Sequence, residues 1–155
     1  MRIAVACDHA GFPLKNEVIR VISEAGHQPI DLGTDSTEPV DYPEYAIKIG
    51  QSILDGTAER GVLICGSGIG ACIAVNKIDG IYAGLGHDVY SAGQGVEHDN
   101  MNVLCLGARV IGPALVPELV RAFLNGQFST EERHQRRVGK IRDLERTHLK
   151  SRQDI

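Results

Sequence analysis

The sequence has no apolar stretch that approaches the roughly 20 residues needed for a membrane-spanning helix. Its four cysteines include no C-x-x-C pair, which disfavours a structural zinc site. The net charge of −4 provides no overall attraction to nucleic acid or to acidic lipid. The N-terminal segment reaches Asp8 after one short apolar run, which is typical of a strand and not of a signal peptide. These absences predict a cytoplasmic protein with reduced thiols and neither a nucleic-acid nor a membrane partner.

The composition is that of an ordinary globular protein. The chain has 155 residues, of which 43% are hydrophobic and 23% are charged, and this length suffices to bury a core within one domain. It contains no internal repeat and no low-complexity tract. We therefore predict a single domain over residues 1–155, with a frayed tail from about residue 146.

Short apolar runs alternate with amphipathic segments along the chain. The runs predict five strands, at residues 2–7, 28–33, 61–65, 80–86 and 102–107. Helices are predicted to end at Gly26, to start at Pro43, to span 69–78 and to start at Pro113. This alternation predicts right-handed βαβ crossovers and a three-layer α/β sandwich around a parallel sheet, with a doubly wound strand order favoured.

The last segment, residues 129–150, differs from the others in having few apolar residues. Ser129 and Glu132 have the spacing of a capping box, which predicts that a helix begins there. Its thin apolar stripe includes Val138, Ile141 and Leu144, and such a stripe does not hold a long helix in water alone. We expect the helix to lie on another surface, either of its own domain or of a second subunit.

The stretch "VLICGSGIG" (62–70) ends an apolar strand at Cys65 and continues with a glycine at every second position. Ligands of parallel sheets collect at the carboxyl ends of strands. Glycines leading into a helix expose N–H groups that favour an anion, and such a position also stabilises a thiolate. A tight turn with a buried structural cysteine explains the glycine pattern alone equally well. A nucleotide site is the weaker interpretation, since the motif follows the third strand and no acid ends the next one.

Two further pairs combine an acid with an imidazole. Asp8 and His9 follow the first strand and so lie at the same edge as Cys65, although a helix cap and a surface histidine would look the same. His98 and Asp99 precede the fifth strand, which the simple pattern places at the opposite edge. A solvated loop is the ordinary interpretation of such a pair.

Arg133, His134 and Arg137 share one face of the C-terminal helix, because positions three and four apart are neighbours on a helix. Guanidinium groups so placed can clamp a phosphate through forked hydrogen bonds. A solvated charged face paired to Glu131 and Glu132 is the commoner meaning of such a run.

Eight short motifs occur in an order that is highly specific as a set. They are "CDHAG" (7–11), "DYP" (41–43), "ICGSGIG" (64–70), "NK" (76–77), "YSA" (90–92), "NVL" (102–104), "GAR" (107–109) and "RHQRRV" (133–138). From Met1 to about residue 145 the chain closely resembles the B-type ribose-5-phosphate isomerases and the related galactose-6-phosphate isomerase subunits. The resemblance implies a Rossmann-like sandwich that forms homodimers, often paired into tetramers, with active sites shared across the dimer and a C-terminal helix that packs on the partner subunit. It also implies aldose–ketose isomerisation of a small sugar phosphate through a cis-enediolate, without a metal or a nucleotide cofactor.

The resemblance also implies roles for individual residues. Cys65 would be the base that moves a proton between C1 and C2, and Ser67 would shuttle protons between the sugar oxygens. His98, with Asp8, would open the furanose ring. The backbone N–H groups that would hold the enediolate oxygen belong to the 66–70 loop, including Gly66, Gly68, Ile69 and Gly70. The phosphate would be bound by His9, Arg109, Arg133 and Arg137, and Tyr42 would line the pocket.

One position departs from the family pattern. Asp99 stands where the family usually has an asparagine that contacts a sugar hydroxyl, and a carboxylate lacks the two donors of an amide. Ribose 5-phosphate remains the predicted substrate. The alternatives are a six-carbon sugar such as allose or galactose 6-phosphate, a four-carbon sugar phosphate, or a phospho-sugar-binding module without catalysis.

Overall fold

The structure, a computed structural model, describes residues 1–148. Within this range the strands are β1 (Arg2–Cys7), β2 (Gln28–Asp31), β3 (Arg60–Cys65), β4 (Ala83–Leu85) and β5 (Val103–Gly107). The helices are α1 (Phe12–Glu24), α2 (Tyr42–Leu54), α3 (Ile69–Val75), α4 (Val89–Asp99), α5 (Val116–Asn125), preceded by a 3₁₀ turn at Pro113–Leu115, and α6 (Glu132–His148). None of the helices in this range is long and apolar enough to cross a membrane.

The five strands form one parallel sheet in the order β2-β1-β3-β5-β4. Helices α1, α4 and α5 pack on one face, where Phe123 and Leu119 are fully buried. Helices α2 and α3 pack on the other face, around Ile49 and Val75. The predicted three-layer sandwich with a five-stranded parallel sheet is confirmed. The connections leave β1 and β3 in opposite directions, so the carboxyl ends of these two strands border a crevice of the kind in which α/β proteins bind ligands.

The helix predicted over 69–78 is shorter in the structure and ends at Val75. The reason is the side chain of Asn76, which pairs with the backbone of Ala83 as a neighbouring strand would. Its amide nitrogen donates to the Ala83 carbonyl at 2.9 Å, and its amide oxygen accepts from the Ala83 N–H at 2.9 Å. These bonds fix the edge of β4 and turn the chain out of the helix.

The strand predicted over 80–86 is also shorter, and β4 starts only at Ala83. The side chain of Asn102 takes up the backbone groups before it. Its amide oxygen accepts from the Tyr82 N–H at 2.8 Å, and its amide nitrogen donates to the Gly80 carbonyl at 2.9 Å. Side-chain amides thus replace a backbone ladder at this end of the sheet.

Helix α6 begins at Glu132, so the predicted start at Ser129 is wrong. The Ser129 hydroxyl accepts a hydrogen bond from the Glu131 N–H at 3.1 Å, which closes a short turn before the helix. On the inner face of α6, Val138 is buried against the same chain, which agrees with the first of the two predicted coverings. Packing of this helix on a partner subunit stays a prediction.

The outer part of α6 is anchored at one carboxylate. Glu145 accepts a hydrogen bond from the Tyr82 hydroxyl at 2.8 Å and one from the Gly80 N–H at 3.4 Å. Leu144 beside it remains 59% exposed. The helix continues to His148, and the part of the predicted frayed tail from residue 149 onward lies outside the described residues.

Arg60, at the start of β3, closes the carboxyl end of α5. Its half-buried guanidinium donates to the carbonyl oxygens of Phe123 at 2.7 Å and Gly126 at 2.8 Å, with a longer contact to Leu124 at 3.4 Å. Terminal carbonyls of a helix have no partner within the helix, and a cation there also opposes the helix dipole.

We expect Arg60→Met to lower the free energy of unfolding by about 2 kcal/mol, because the carbonyls at the end of α5 lose a charged donor and stay partly buried. Urea denaturation followed by circular dichroism measures the change. The matched control is Arg121→Met on α5, whose exposed guanidinium forms a 3.6 Å ion pair with Glu24 and should contribute less than about 0.5 kcal/mol. Equal losses for the two variants would contradict the assigned role of Arg60.

Candidate active site

A cleft of about 370 Å³ lies at the carboxyl ends of β1 and β3. Its lining consists of Asp8, His9, Ala10, Tyr42, Cys65, Gly66, Ser67, Gly70, Arg109 and Val110. The structure therefore brings together the predicted residues of the strand ends and of the glycine loop. Ala10 and Val110 were not predicted, because an apolar side chain in a loop gives no chemical signal in the sequence.

The thiol of Cys65 is held by the loop that follows it. Cys65 is 5% exposed, and its Sγ accepts a hydrogen bond from the Gly68 N–H at 3.1 Å. Gly68 has a φ of +80°, and a Cβ added there would lie 2.5 Å from the Leu85 side chain. Only glycine adopts this backbone readily, so the loop needs glycine at position 68 to donate to the sulfur. A donor at this distance stabilises negative charge on the thiol.

The opposite wall of the cleft is the ring of Tyr42, at the start of α2. A Cβ added to Gly70 would lie 2.8 Å from the Tyr42 Cζ, so the ring rests directly on the backbone of the glycine loop. Tyr42 is 40% exposed. Its open face therefore borders the space beside Cys65.

Asp8 and His9 lie beside Cys65 and are both fixed by backbone groups. The Asp8 carboxylate accepts from the Gly11 N–H at 2.9 Å, and Asp8 is only 6% exposed. It thus caps the turn into α1 and borders the cleft as well. The Nδ1 of His9 lies 3.1 Å from the Val40 nitrogen and 3.2 Å from its carbonyl oxygen. This contact leaves Nε2 as the nitrogen that can meet a ligand.

Arg109 extends along the edge of the cleft beside the backbone of Gly66. Its N–H donates to the Gly66 carbonyl at 2.9 Å, and a Cβ added at Gly66 would lie 3.6 Å from the Arg109 Cδ. None of the salt bridges within residues 1–148 includes Arg109. An exposed guanidinium without a carboxylate partner suits recognition of a phosphate.

The other predicted residues form a separate cluster, which we call the helix-end group: His98, Asp99, Arg133, His134 and Arg137. None of them lines the cleft of the same chain. The imidazole rings of His98 and His134 stack with centroids 4.0 Å apart and an angle of 22° between the planes. The Nδ1 of His98 lies 2.7 Å from the Gln94 amide nitrogen. Gln94 was not predicted, although its spacing of four residues from His98 on one helix was a usable signal.

His134 is the buried member of the helix-end group, with 2% of its surface exposed. Burial lowers the pKa of His134, and nearby His98, Arg133 and Arg137 lower it further, whereas Glu131 opposes the shift. Arg133 itself is exposed and pairs with Glu131 at 2.7 Å. The ring of His134 is therefore neutral near neutral pH.

Cys72 lies behind the glycine loop and outside the cleft lining. A hydrogen bond with Cys105 lowers the pKa of Cys72 to about 7 against the opposing effect of burial, and Asn76 lowers it further. Cys72 is only partly buried, so the prediction of a core position is wrong for it; Cys7 and Cys105 are fully buried as predicted. Within residues 1–148, no group of three or more His, Cys, Asp or Glu side chains could hold a metal ion.

Comparison with known proteins gives a consistent result. A model of the Ribose/Galactose Isomerase family matches residues 3–141. The chain is 42% identical over 144 residues to ribose-5-phosphate isomerase B of Escherichia coli, covering 93% of this chain and 96% of that protein. It is 41% identical over 130 residues to D-erythrulose-4-phosphate isomerase of Pectobacterium atrosepticum, covering 83% and 85%.

The fold also matches a solved structure that contains a ligand. Ribose-5-phosphate isomerase B from Mycoplasma genitalium, with bound ribulose-5-phosphate, superimposes with a TM-score of 0.87 at 34% identity, covering 94% of this chain and 96% of that chain. A family match over most of the chain, with identities above 40% to whole relatives, leaves one assignment. The chain belongs to the ribose/galactose isomerase family.

Proposed function

We propose that the cleft around Cys65 interconverts ribose 5-phosphate and ribulose 5-phosphate through a cis-enediolate, with the Cys65 thiolate as the base. Membership of the family makes the chain an aldose–ketose isomerase. The observation that supports the finer proposal best is the 3.1 Å hydrogen bond from the Gly68 N–H to the Cys65 sulfur. It favours the charged form of a thiol that also borders a cleft of about 370 Å³, the size range of a small-ligand site.

In the proposed reaction the sugar first opens to its free aldehyde, with Asp8 and His98 exchanging protons with the ring and anomeric oxygens. The Cys65 thiolate then removes the proton from C2. The electron pair of that C–H bond forms the C1–C2 double bond, and the carbonyl oxygen on C1 becomes negative. Reprotonation at C1 by the Cys65 thiol completes the conversion to the ketose.

Between these two steps, the negative oxygen needs hydrogen-bond donors. The Gly68 and Ile69 N–H groups already donate to Cys65 and to the Ser67 hydroxyl, at 3.1 and 3.2 Å. The proposal therefore assigns the oxygen to the N–H groups of Gly66, Ser67 and Gly70, around the mouth of the cleft. The Ser67 hydroxyl moves the proton from O2 to O1, so that the charge passes to the oxygen that becomes the ketone.

The phosphate is proposed to bind at the Arg109 side of the cleft, where His9 offers its Nε2. The helix-end group does not line the cleft of its own chain. We propose that a homodimer, which pairs further into a tetramer in some relatives' manner, places the helix-end group of one subunit over the cleft of the other. His98, Arg133 and Arg137 would then complete the site for the sugar ring and the phosphate.

A four-carbon sugar phosphate is the second candidate substrate. The observation that favours it is the 41% identity to a D-erythrulose-4-phosphate isomerase, together with the exposed carboxylate of Asp99 at the end of α4. Six-carbon sugar phosphates and binding without catalysis stay as predictions from the sequence.

We expect the purified protein to turn over ribose 5-phosphate with the highest kcat/KM of a panel of four-, five- and six-carbon aldose phosphates, without added metal. The measurement is ketose formation for each sugar under the same conditions. A preference of more than about tenfold for another sugar, or roughly 1.4 kcal/mol at the transition state, would assign that sugar instead. Binding without turnover across the panel would indicate a binding module.

Cys65→Ala should lower kcat by about 10³-fold, because it removes the group that takes the proton from carbon. Binding of ribulose 5-phosphate, measured by calorimetry, should persist because the phosphate contacts remain. Cys72→Ala is the matched control, since Cys72 has the more acidic thiol environment but lies outside the cleft. Loss of activity in the Cys72 variant with retention in the Cys65 variant would transfer the role of base.

Mixing inactive Cys65→Ala and His98→Ala proteins should restore activity if sites are shared between subunits. In a mixed dimer, one cleft has both an intact thiol and an intact partner imidazole, so about a quarter of wild-type activity is expected at full exchange. The measurement is turnover after denaturation and co-refolding of the two variants. Activity that stays at the level of the separate variants would argue for sites completed within one chain.

A further inference from the structure

We infer that His134, which does not line the cleft, is a positioning residue that holds the His98 imidazole in the orientation needed for opening of the sugar ring. This inference rests on the proposed function, because it takes His98 as a group that reaches the sugar. It assigns a role to a residue that the sequence pattern placed only within a charged helix face.

The burial of His134 is costly in itself. The residue is 2% exposed, and its Nδ1 has no hydrogen-bond partner within residues 1–148. An unpaired buried polar atom destabilises a fold, whereas an aliphatic side chain of similar size would fill the same space without that penalty. Val138, one turn further along α6, shows that this interface accepts an aliphatic residue.

What the imidazole of His134 provides is a flat surface for His98. The two centroids are 4.0 Å apart and the planes differ by 22°, so the ring of His98 lies face to face on a ring that is itself immobilised by burial. The stack restricts rotation of His98 about its Cα–Cβ and Cβ–Cγ bonds. Because His98 sits at the last turn of α4 and is only partly buried, little else restrains its outer face.

Gln94 fixes the remaining freedom of the His98 ring. Its amide nitrogen, 2.7 Å from Nδ1, can only donate. The Nδ1 of His98 therefore accepts, and the neutral ring has its proton on Nε2. The stack and the amide together direct one protonated nitrogen away from α4, as a donor to a sugar oxygen requires.

The charge state of His134 is compatible with this role. The charged groups that face it are Arg133 and Arg137 on its own helix, Glu131 before it, and His98 on α4. Burial and the neighbouring cations lower the pKa of His134, so its ring stays neutral when His98 takes up a proton. Two cationic rings in face-to-face contact would repel each other.

The test compares His134→Ala, which removes the stacking surface, with His134→Phe, which keeps a flat ring. Each variant is assayed with ribose 5-phosphate and with D-erythrose 4-phosphate, whose phosphate blocks the hydroxyl needed for a furanose ring. His134→Ala should lower kcat with ribose 5-phosphate by about 10- to 100-fold and leave the four-carbon reaction nearly unchanged. His134→Phe should recover most of the loss. Val138→Ala, in the same interface, is the stability control and should leave kcat unchanged.

A double-mutant cycle on ribose 5-phosphate supplies the second readout. In a His98→Ala background, His134→Ala should cause no further loss, because the two residues act through one ring. An additive loss, an equal loss with both sugars, or no loss with ribose 5-phosphate would overturn the inference.

The third readout does not require activity. Nitrogen NMR of the imidazole rings should show His98 of the wild type with its proton on Nε2, and a mixture of tautomers in His134→Ala. An unchanged His98 tautomer in that variant would overturn the inference. If the wild type turned over no sugar phosphate, the proposed function would fail, while this spectrum would still decide whether His134 orders His98.

Discussion

The contact between the glycine loop and the end of β5 determines the geometry of the whole cleft. A Cβ added at Gly107 would lie 2.6 Å from the backbone of Ser67, so the two chains touch where side chains would not fit. Beyond this point the chain after β5 still pairs with the loop: the Ala108 N–H donates to the Cys65 carbonyl at 2.8 Å, and the Arg109 N–H donates to that of Gly66. The loop is therefore held as an extension of the sheet. The same pairing places the guanidinium of Arg109 beside the thiol's loop.

The charges of the molecule divide into two surfaces that differ in construction. Groups around the cleft are fixed by backbone contacts, as Asp8 is by Gly11 and His9 by Val40. The helix-end group is fixed by side chains alone, through the stack of His98 on His134 and the amide of Gln94. Backbone contacts follow from the fold, whereas side-chain contacts between two helices vary with single substitutions. The reacting centre is thus the conservative part of the molecule, and the helix-end group is the part where specificity can change.

Much of the fold could be predicted because buried parallel strands read as continuous apolar runs. The residues at the ends of β1 and β3 could be predicted to meet, since parallel strands end at one edge. The bounds of α3 and β4 could not, because the side chains of Asn76 and Asn102 replace backbone pairing there. The start of α6 was wrong for a similar reason: the Ser129 hydroxyl closes a short turn instead of a cap.

The site shows the same limit. The glycine loop, Asp8 and His9 could be assigned to one cleft from their position along the chain. The stack of His98 on His134 could not, because helical spacing shows which residues share a face but not which face is buried. Ala10 and Val110 line the cleft without any chemical feature that the sequence displays.

The thiol of Cys72 has a consequence for work on the protein in solution. With a pKa of about 7 and a partly exposed side chain, Cys72 is substantially ionised at neutral pH, while Cys65 is 5% exposed at the bottom of its cleft. Alkylating reagents such as iodoacetamide react with the thiolate and so have an accessible target outside the active site. A stoichiometry of one modified thiol per chain would therefore say nothing about the base, and labelling experiments need peptide mapping before any loss of turnover is attributed to Cys65.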